Sequence, residues 1–403
     1  MREGKARMRN GTTESESQVK QWLAEQRDAM IKLLAELVNT DSGSYDKEGV
    51  DAAGEVLKRY FTSEGLKLET EPQPRFGEQI RAVLGHPQSN DQRPIILMGH
   101  RDTVFPKGEP QRRPFRIENG RAYGPGVCDM KAGLVMNAFV IAALKRFGGH
   151  PGPVVALVTS DEEIASPSSR PVIEAEARKA RAVFNAEPSR VGRKITSGRK
   201  GGVFSRCEVT GKAAHSGANF EQGVSAIEEL SRKIPELHKL TDLKRGTTVN
   251  VGLIGGGQTV NTVAPSAWCE IDLRFVKMKD RDEAVEAIRK ICETSSVPGA
   301  VSTFTIKGEF LPLEQTPEAK ALFRLYSSAA SDAGFSVSAE FTGGCADSGY
   351  TAAQGCPTLC SVGPVGGKAH TSDEFLEVDT IVPCAQALAL SVMRLREGVL
   401  PPG

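Results

Sequence analysis

No charge of either sign predominates in this 403-residue chain: Lys and Arg total 51 against 50 for Asp and Glu. That balance lacks the electrostatic footprint that nucleic acid or an acidic membrane surface would require, and neither is expected as a partner. Long apolar runs are also missing, since none approaches the roughly 20 residues that cross a bilayer. The polar stretch Met1–Ser17 has no hydrophobic segment of the secretory kind. The eight cysteines follow no regular spacing, and the nearest pair, Cys356 and Cys360, is poor ground for a zinc site or a disulfide. A reduced, cytoplasmic protein is the expectation, with a secreted precursor trimmed of its signal as the alternative.

What is present begins with Met98-Gly-His-Arg-Asp-Thr-Val104. Ile95, Ile96, Leu97 and Met98 read as a fully buried strand. The run then breaks into His100 and Asp102, which at i and i+2 project from one face of an extended chain. An imidazole and a carboxylate at such a strand end suit a metal site, one ligating while the other takes the free ring N–H. The bland alternative is a capped strand end in which the two satisfy each other.

The same theme recurs. Val154 to Val158 is an apolar strand that ends in Thr-Ser-Asp-Glu-Glu163, and Ala182-Val-Phe-Asn-Ala-Glu-Pro188 is a shorter one that delivers Glu187. Carboxylates crowded at a buried strand end repel one another unless cations or protons offset them. Asp129 lies just before a helix of strong apolar pattern, where it either caps exposed N–H groups or reaches the strand ends. Near the C-terminus, Gly343-Gly-Cys-Ala-Asp347 and Gly366-Gly-Lys-Ala-His370-Thr-Ser-Asp-Glu374 surround one more histidine with Gly-rich loops. Ligands in open α/β sheets gather at the carboxyl ends of strands, which makes His100, Asp129, Glu163 and Glu187 plausible neighbours, with His370 as one further donor. Two imidazoles and three carboxylates make two metal positions if one carboxylate bridges. Nitrogen-plus-oxygen donors without thiolate suit zinc, with manganese or cobalt as substitutes.

Organisation follows from periodicity. Residues 1 to 16 read as a disordered lead-in. A long amphipathic helix opens at Ser17 or Gln18, a second runs from Asp46 to Glu64, and a polar hairpin region covers Pro72 to Arg93. Gly99 to Gly126 reads as a long Pro-containing loop walling a site. The middle of the chain changes grammar: strand Val203–Val209, helix Val224–Leu237, strands Thr248–Ile254 and Trp268–Val276, helix Arg281–Cys292, strand Val301–Ile306. This is the ferredoxin-like β-α-β-β-α-β order. The expected architecture is α/β: a discontinuous catalytic domain (17–200 and 310–403), with a mixed sheet flanked by helices, interrupted by a lid and dimerisation domain (201–309). The exposed edges of the insert's sheet invite pairing with a second copy, so a homodimer is expected. His86, His150 and His238 read as loop or helix-surface residues, and Cys128 as packing. The run Gly255-Gly-Gly257 is a weak phosphate signal, because no Lys-Ser/Thr follows it.

Taken together, H-R-D-T-V, G-P-G-V-C-D-M-K-A-G, S-D-E-E, A-E-P-S, G-K-A-A-H-S-G and the late histidine resemble the co-catalytic zinc amidohydrolase and peptidase family. That family includes glutamate carboxypeptidase, acetylornithine deacetylase, succinyl-diaminopimelate desuccinylase and aminoacylase. The match covers nearly the whole chain after about residue 18. Tyr-Gly-Pro-Gly before Asp129, Glu at position 187 and Thr-Gly-Gly-x-x-Asp at Thr342 to Asp347 are most similar to the glutamate carboxypeptidase branch. The resemblance implies two Zn2+ per chain, His100 and Glu187 holding one, Glu163 and His370 the other, and Asp129 bridging. It further implies that Asp102 orients His100 and that Glu162 is the general base. His215 would reach the oxyanion, usually in the partner subunit's site, while Asn261 and Arg274 bind the substrate's free carboxylate. Two departures stand out. Where glutamate-releasing relatives often carry Arg-Pro after the insert, this chain has Phe310-Leu-Pro312 behind Glu309, and Met130 replaces the Asp or Asn common after the bridging residue.

The expected reaction is hydrolysis of an N-acyl amino acid or a small peptide, releasing an amino acid with a free carboxylate. A dipeptidase or aminopeptidase of the same metal chemistry is the alternative and would need an acidic group for the substrate's ammonium. A catalytically silent binding scaffold would require loss of a ligand or of Glu162, and no such loss is seen.

Overall fold

The computed structural model describes residues 14–401. An eight-stranded mixed sheet forms its centre, in the spatial order Lys67–Glu71, Gln79–Leu84, Val154–Thr159, Ile95–His100, Ala182–Asn185, Thr358–Cys360, Lys194–Arg199, Ser338–Thr342. Val154–Thr159, Ile95–His100, Ala182–Asn185 and Thr358–Cys360 run parallel. Every residue of the first three is buried. Helices cover both faces, so these strands read as continuous apolar runs rather than alternating ones. Alternate residues of one strand serve different cores. Leu97 joins Leu34, Phe139 and Leu388 beneath Arg27–Val38, Ala132–Phe147 and Ile381–Arg394. Ile96 and Met98 pack with Val172, Ile173 and Tyr350 beneath Ser169–Ala177 and Ser348–Ala353.

Several elements differ from the sequence reading. The long first helix is two helices, Glu14–Glu25 and Arg27–Val38, with Gln26 between them. The first starts early because buried Glu16 takes an ion pair from Arg394 (Nε–Oε1 2.9 Å), so Glu14 to Glu16 are helix and not lead-in. The rest of the expected lead-in lies outside the described residues. The hairpin assigned to Pro72–Arg93 begins earlier, Lys67–Glu71 pairing antiparallel with Gln79–Leu84. The stretch from Gly99 to Gly126 is not a bare loop. It holds a short helix, Glu109–Arg112, and a hairpin, Arg116–Glu118 with Arg121–Tyr123. Its turn is Asn119-Gly120, both at positive φ (51° and 77°), the backbone that a two-residue hairpin favours. His150 is buried: its Nδ1 lies 2.7 Å from Gly152 O, and its ring meets His86 edge-on at 4.9 Å. His238 closes the helix Ala226–His238 as an exposed residue.

One stretch is apolar enough to reconsider the membrane question. Val127–Phe147 has the length and mean hydropathy (1.6) of a membrane span, but 94% of that apolar window is buried inside the protein, as in a core helix.

Residues Gly201 to Phe310 build their own antiparallel sheet. Along the chain they form strand Gly201–Thr210, helix Ala226–His238, strands Thr248–Gly256 and Ser266–Phe275, helix Met278–Glu293 and strand Val301–Phe310. In space the strands lie in the order Thr248–Gly256, Ser266–Phe275, Gly201–Thr210, Val301–Phe310. Cys207, Leu230, Ile271 and Ile288 fill the core between this sheet and its two helices. Thr248–Gly256 is an edge strand, on which Leu253 and Ile254 are 58% and 62% exposed.

Candidate metal centre

Three neighbouring parallel strands aim their carboxyl ends at one place. His100 ends the middle strand, Glu162 and Glu163 follow the strand on one side of it, and Glu187 follows the strand on the other. Asp129 arrives from the irregular turn Val127–Lys131 and His370 from the loop after Gly363–Gly367. Of the two roles open to Asp129, the N-cap is not adopted. The helix begins only at Ala132, without a side-chain cap, and the Asp129 oxygens turn toward the two histidines. The Asp129–Met130 peptide bond, on which the sequence is silent, is cis. Gly133 lets the helix start lie against the Glu187 strand end, since a Cβ there would come within 2.0 Å of Ala186 O.

The donors fall into two sets that share Asp129: His100, Asp129 and Glu187, and Asp129, Glu163 and His370. His100 Nε2 lies 3.4 Å from Asp129 Oδ1 and 3.6 Å from Glu187 Oε1. His370 Nε2 lies 3.3 Å from Asp129 Oδ2 and 3.0 Å from Glu163 Oε2. Two ligands about 2.1 Å from a common ion at a tetrahedral angle stand ~3.4 Å apart, and the observed separations bracket that value. His100 Nε2 is buried and makes no hydrogen bond, although buried polar atoms nearly always find a partner. Its other nitrogen is held 3.1 Å from Asp102 O and 3.3 Å from Asp102 Oδ1. The residues therefore fit a divalent metal on either side of Asp129.

Electrostatics point the same way. Burial, reinforced by Glu187, Asp347 and Glu163 against the opposing pull of His100, pushes Glu162 well above the usual carboxylate range. Burial likewise raises Glu163 and Glu187, each to about 7, with Asp129 adding to both. For Asp129 itself burial acts upward, but the two imidazoles outweigh it and hold the carboxyl below its ordinary value. Hydrogen bonds to Asp129 and Glu163 lift His370 to about 10. A site that draws protons onto so many groups is one in which cations would substitute for them.

The residues around the donors do more than orient His100. Asp102 is fully buried, accepts Ser44 Oγ–H at 2.7 Å, and takes the backbone N–H groups of Glu162 (3.1 Å) and Glu163 (3.2 Å). It thus fixes both adjacent acids as well as His100. Glu374 accepts the N–H groups of Gly126, Cys128 and Asp129 at 2.9–3.0 Å and shapes the turn that presents Asp129. Asp347 lies behind Glu162, bonded by Ser166 Oγ. Arg199, buried, donates to Gly344 O at 2.9 Å and lines the cleft over the donors. Cys128 is buried, and burial raises its thiol well above normal, as suits packing.

A cleft of about 600 Å³ between the two sheets holds Asp129, Glu162, Glu163, Glu187 and His370 together with Arg274. Asn261 does not join Arg274 there. Arg274 pairs in register with Thr248, while Asn261 belongs to the loop at the other end of Ser266–Phe275, eight residues or roughly 26 Å away along the strand. That loop instead meets the one after Gly201–Thr210, which carries His215: Ser216 N–H donates to Asn261 O at 3.0 Å, and His215 bridges Thr262. His215 is exposed, its Nδ1 accepting the N–H groups of Gly217 and Ala218 at 3.1 and 3.2 Å, and it does not line the cleft of its own chain.

Comparison with known proteins gives a consistent picture. The profile of peptidase family M20/M25/M40 matches residues 96–394. Carboxypeptidase G2 of Pseudomonas sp. (strain RS-16) is 30% identical over 382 residues, 93% of this chain and 91% of that protein. Acetylornithine deacetylase of Edwardsiella ictaluri (strain 93-146) is 26% identical over 89% of this chain and 95% of that protein. Among solved structures, the M20 family metallo-carboxypeptidase Sso-CP2 of Sulfolobus solfataricus superimposes with a TM-score of 0.75 at 18% identity, over 90% of this chain and 98% of that one.

Proposed function

The chain belongs to peptidase family M20/M25/M40, and from that premise we propose that it hydrolyses an amide bond to release an amino acid with a free α-carboxylate. The substrate is an N-acyl amino acid or a small peptide cut at its C-terminus. The observation that carries this reading is the guanidinium of Arg274 in the same cleft as Glu162, Asp129, Glu163, Glu187 and His370. A planar, bidentate donor suits a carboxylate, and not the ammonium that an aminopeptidase or dipeptidase would have to recognise.

Two divalent ions, zinc by the donor chemistry with manganese or cobalt as substitutes, would polarise the scissile carbonyl and lower the pKa of the attacking water. His100 and Glu187 would hold one ion, Glu163 and His370 the other, with Asp129 shared. Asp102 keeps the ring of His100 oriented, so that Nε2 faces Asp129 and Glu187. Glu162 takes the water's proton on its carboxylate and passes it to the leaving nitrogen. Arg274 binds the leaving amino acid's carboxylate and aligns the amide. Elemental analysis at saturation should find two ions per chain. One tightly bound ion on an intact fold would remove the bridging role of Asp129. A screen of N-acyl amino acids and dipeptides against the zinc-loaded protein, scored by released amino acid, tests the reaction itself, and cleavage confined to substrates without a free carboxylate would refute it.

Residues 201–309 act, in this reading, as lid and dimerisation unit. The edge strand Thr248–Gly256, with exposed Leu253 and Ile254, supports pairing with a second copy. His215 and Asn261 then serve the neighbouring site, His215 of the partner subunit facing the oxyanion. Sedimentation at micromolar concentration should show a dimer, and Ile254→Lys should shift it toward monomer with a parallel loss of activity. A wild type that stays monomeric would leave His215 without a route to any site. All eight cysteines are unpaired, which supports a cytoplasmic setting.

A further inference from the structure

Three clefts meet at the donor sets, and they differ in chemistry. The cleft with Arg274 is occupied by the leaving amino acid in the reading above. A second, of about 550 Å³, extends past Glu187 and carries Arg190, Lys194, Arg199 and Lys368. A third, of about 660 Å³, extends past Glu163 and is walled by Tyr45, Val104, Phe105, Pro106 and Ile164. The acyl side of the substrate has to enter the second or the third.

Most cations of the second cleft are already engaged. Arg190 Nη2 donates to Thr342 Oγ1 at 2.6 Å, Arg199 to Gly344 O at 2.9 Å, and Lys368 to Asp373 Oδ2 at 3.2 Å. Glu340 adds a negative charge to the same wall. In the third cleft Lys107 and Asp46 pair with each other at 3.3 Å, and the Arg113 guanidinium lies over the Phe105 ring at 4.8 Å, while Tyr45 and Val104 stay open, 76% and 43% exposed. Tyr45, Glu163 and Ile164 line both this cleft and the one with Arg274, so the apolar wall is continuous with the place where the amide must lie. An aromatic ring left in water at the mouth of a reaction cleft is a surface that a flat apolar group can cover.

We propose that Tyr45, Val104, Phe105 and Ile164 form the subsite for an apolar, preferentially aromatic, acyl group. The proposal rests on the hydrolase reading for which end of the substrate arrives there, but its binding chemistry can be measured without turnover. Calorimetric titration of the zinc-loaded protein with phenylacetate, acetate and succinate compares the acids that the corresponding N-acyl substrates would release. Phenylacetate should bind about tenfold more tightly than acetate, ~1.4 kcal/mol. Covering roughly 55 Å² of apolar surface at about 25 cal/mol per Å² is enough for that. Tyr45→Ala should bring the phenylacetate-to-acetate ratio to about threefold or less, Tyr45→Phe should keep it, and Val104→Ser should lower it independently. Because Tyr45 and Val104 are surface residues, these variants should fold. Succinate binding more tightly than phenylacetate would move the acyl group to the cationic cleft and overturn the proposal, as would a ratio that Tyr45→Ala leaves unchanged. If the ratios behave as expected while no N-acyl amino acid is hydrolysed, the reaction assigned above fails and the subsite stands.

Discussion

Glu162→Gln should lower turnover by about two to four orders of magnitude, the usual contribution of a positioned general base, while metal content stays that of the wild type. The amide has nearly the shape of the carboxylate but cannot take up the water's proton or return it to the leaving nitrogen. In barrier terms the loss is about 2.7–5.5 kcal/mol. Its neighbour should behave differently. Glu163 Oε2 lies 3.0 Å from His370 Nε2 within one of the two donor sets, so Glu163→Ala should lose metal, and activity with it. The contrast is sharp because one buried carboxylate, Asp102, fixes the backbone of both acids through N–H bonds of 3.1 and 3.2 Å. Metal analysis beside steady-state kinetics on the two variants decides it. Metal loss in Glu162→Gln, with metal retained in Glu163→Ala, would reverse the two assignments.

Three of the candidate donors are legible because each stands where an apolar run stops. A buried strand has no use for a polar residue until it leaves the sheet, so His100, Glu163 and Glu187 mark the ends of three strands, and the strand order makes them neighbours. Asp102 apart, the residues that hold these side chains in place are not legible, because their partners are distant in the chain. Glu374 bonds to Gly126, Cys128 and Asp129, 245 to 248 residues away, and Asp347 to Ser166, 181 residues away. No periodicity reports such a contact. Asn119-Gly120 is itself a hairpin signal, one that the prolines around it obscure. Asn261 sits apart from Arg274 for a different reason. Thirteen residues before Arg274 fits one hairpin, but register decides which end of the strand a residue occupies, and Arg274 lies opposite Thr248, at the end away from the connecting loop.

That displacement leaves Arg274 as the group of the chain's own cleft that the proposed function assigns to the substrate's carboxylate. Its Nε donates to Asp272 at 2.8 and 3.1 Å and its Nη1 to Cys345 Sγ at 2.8 Å, while the guanidinium carbon sits 5.1 Å from the centre of the Phe204 ring. Asp272 and Phe204 orient the fork, and Nη2 has no protein partner among the described residues. The competing role, a strand-face charge matched by Asp272 alone, would leave substrate recognition untouched. Removing one partner of a desolvated charge pair typically costs ~2–5 kcal/mol, mostly because the other charge is left unpaired. Arg274→Ala should therefore reduce kcat/KM for free-acid substrates by roughly one and a half to three and a half decades, at 1.4 kcal/mol per decade. Arg274→Lys should recover little, because an ammonium cannot reproduce the planar two-point contact. Matched substrates capped as amides should be poor for wild type and variant alike, since they present no charge to bind. Assaying acid and amide pairs on all three proteins separates the two roles. If wild type cleaves acid and amide equally well, this cleft does not select carboxylates, and the dipeptidase or aminopeptidase reading gains the ground that Arg274 loses.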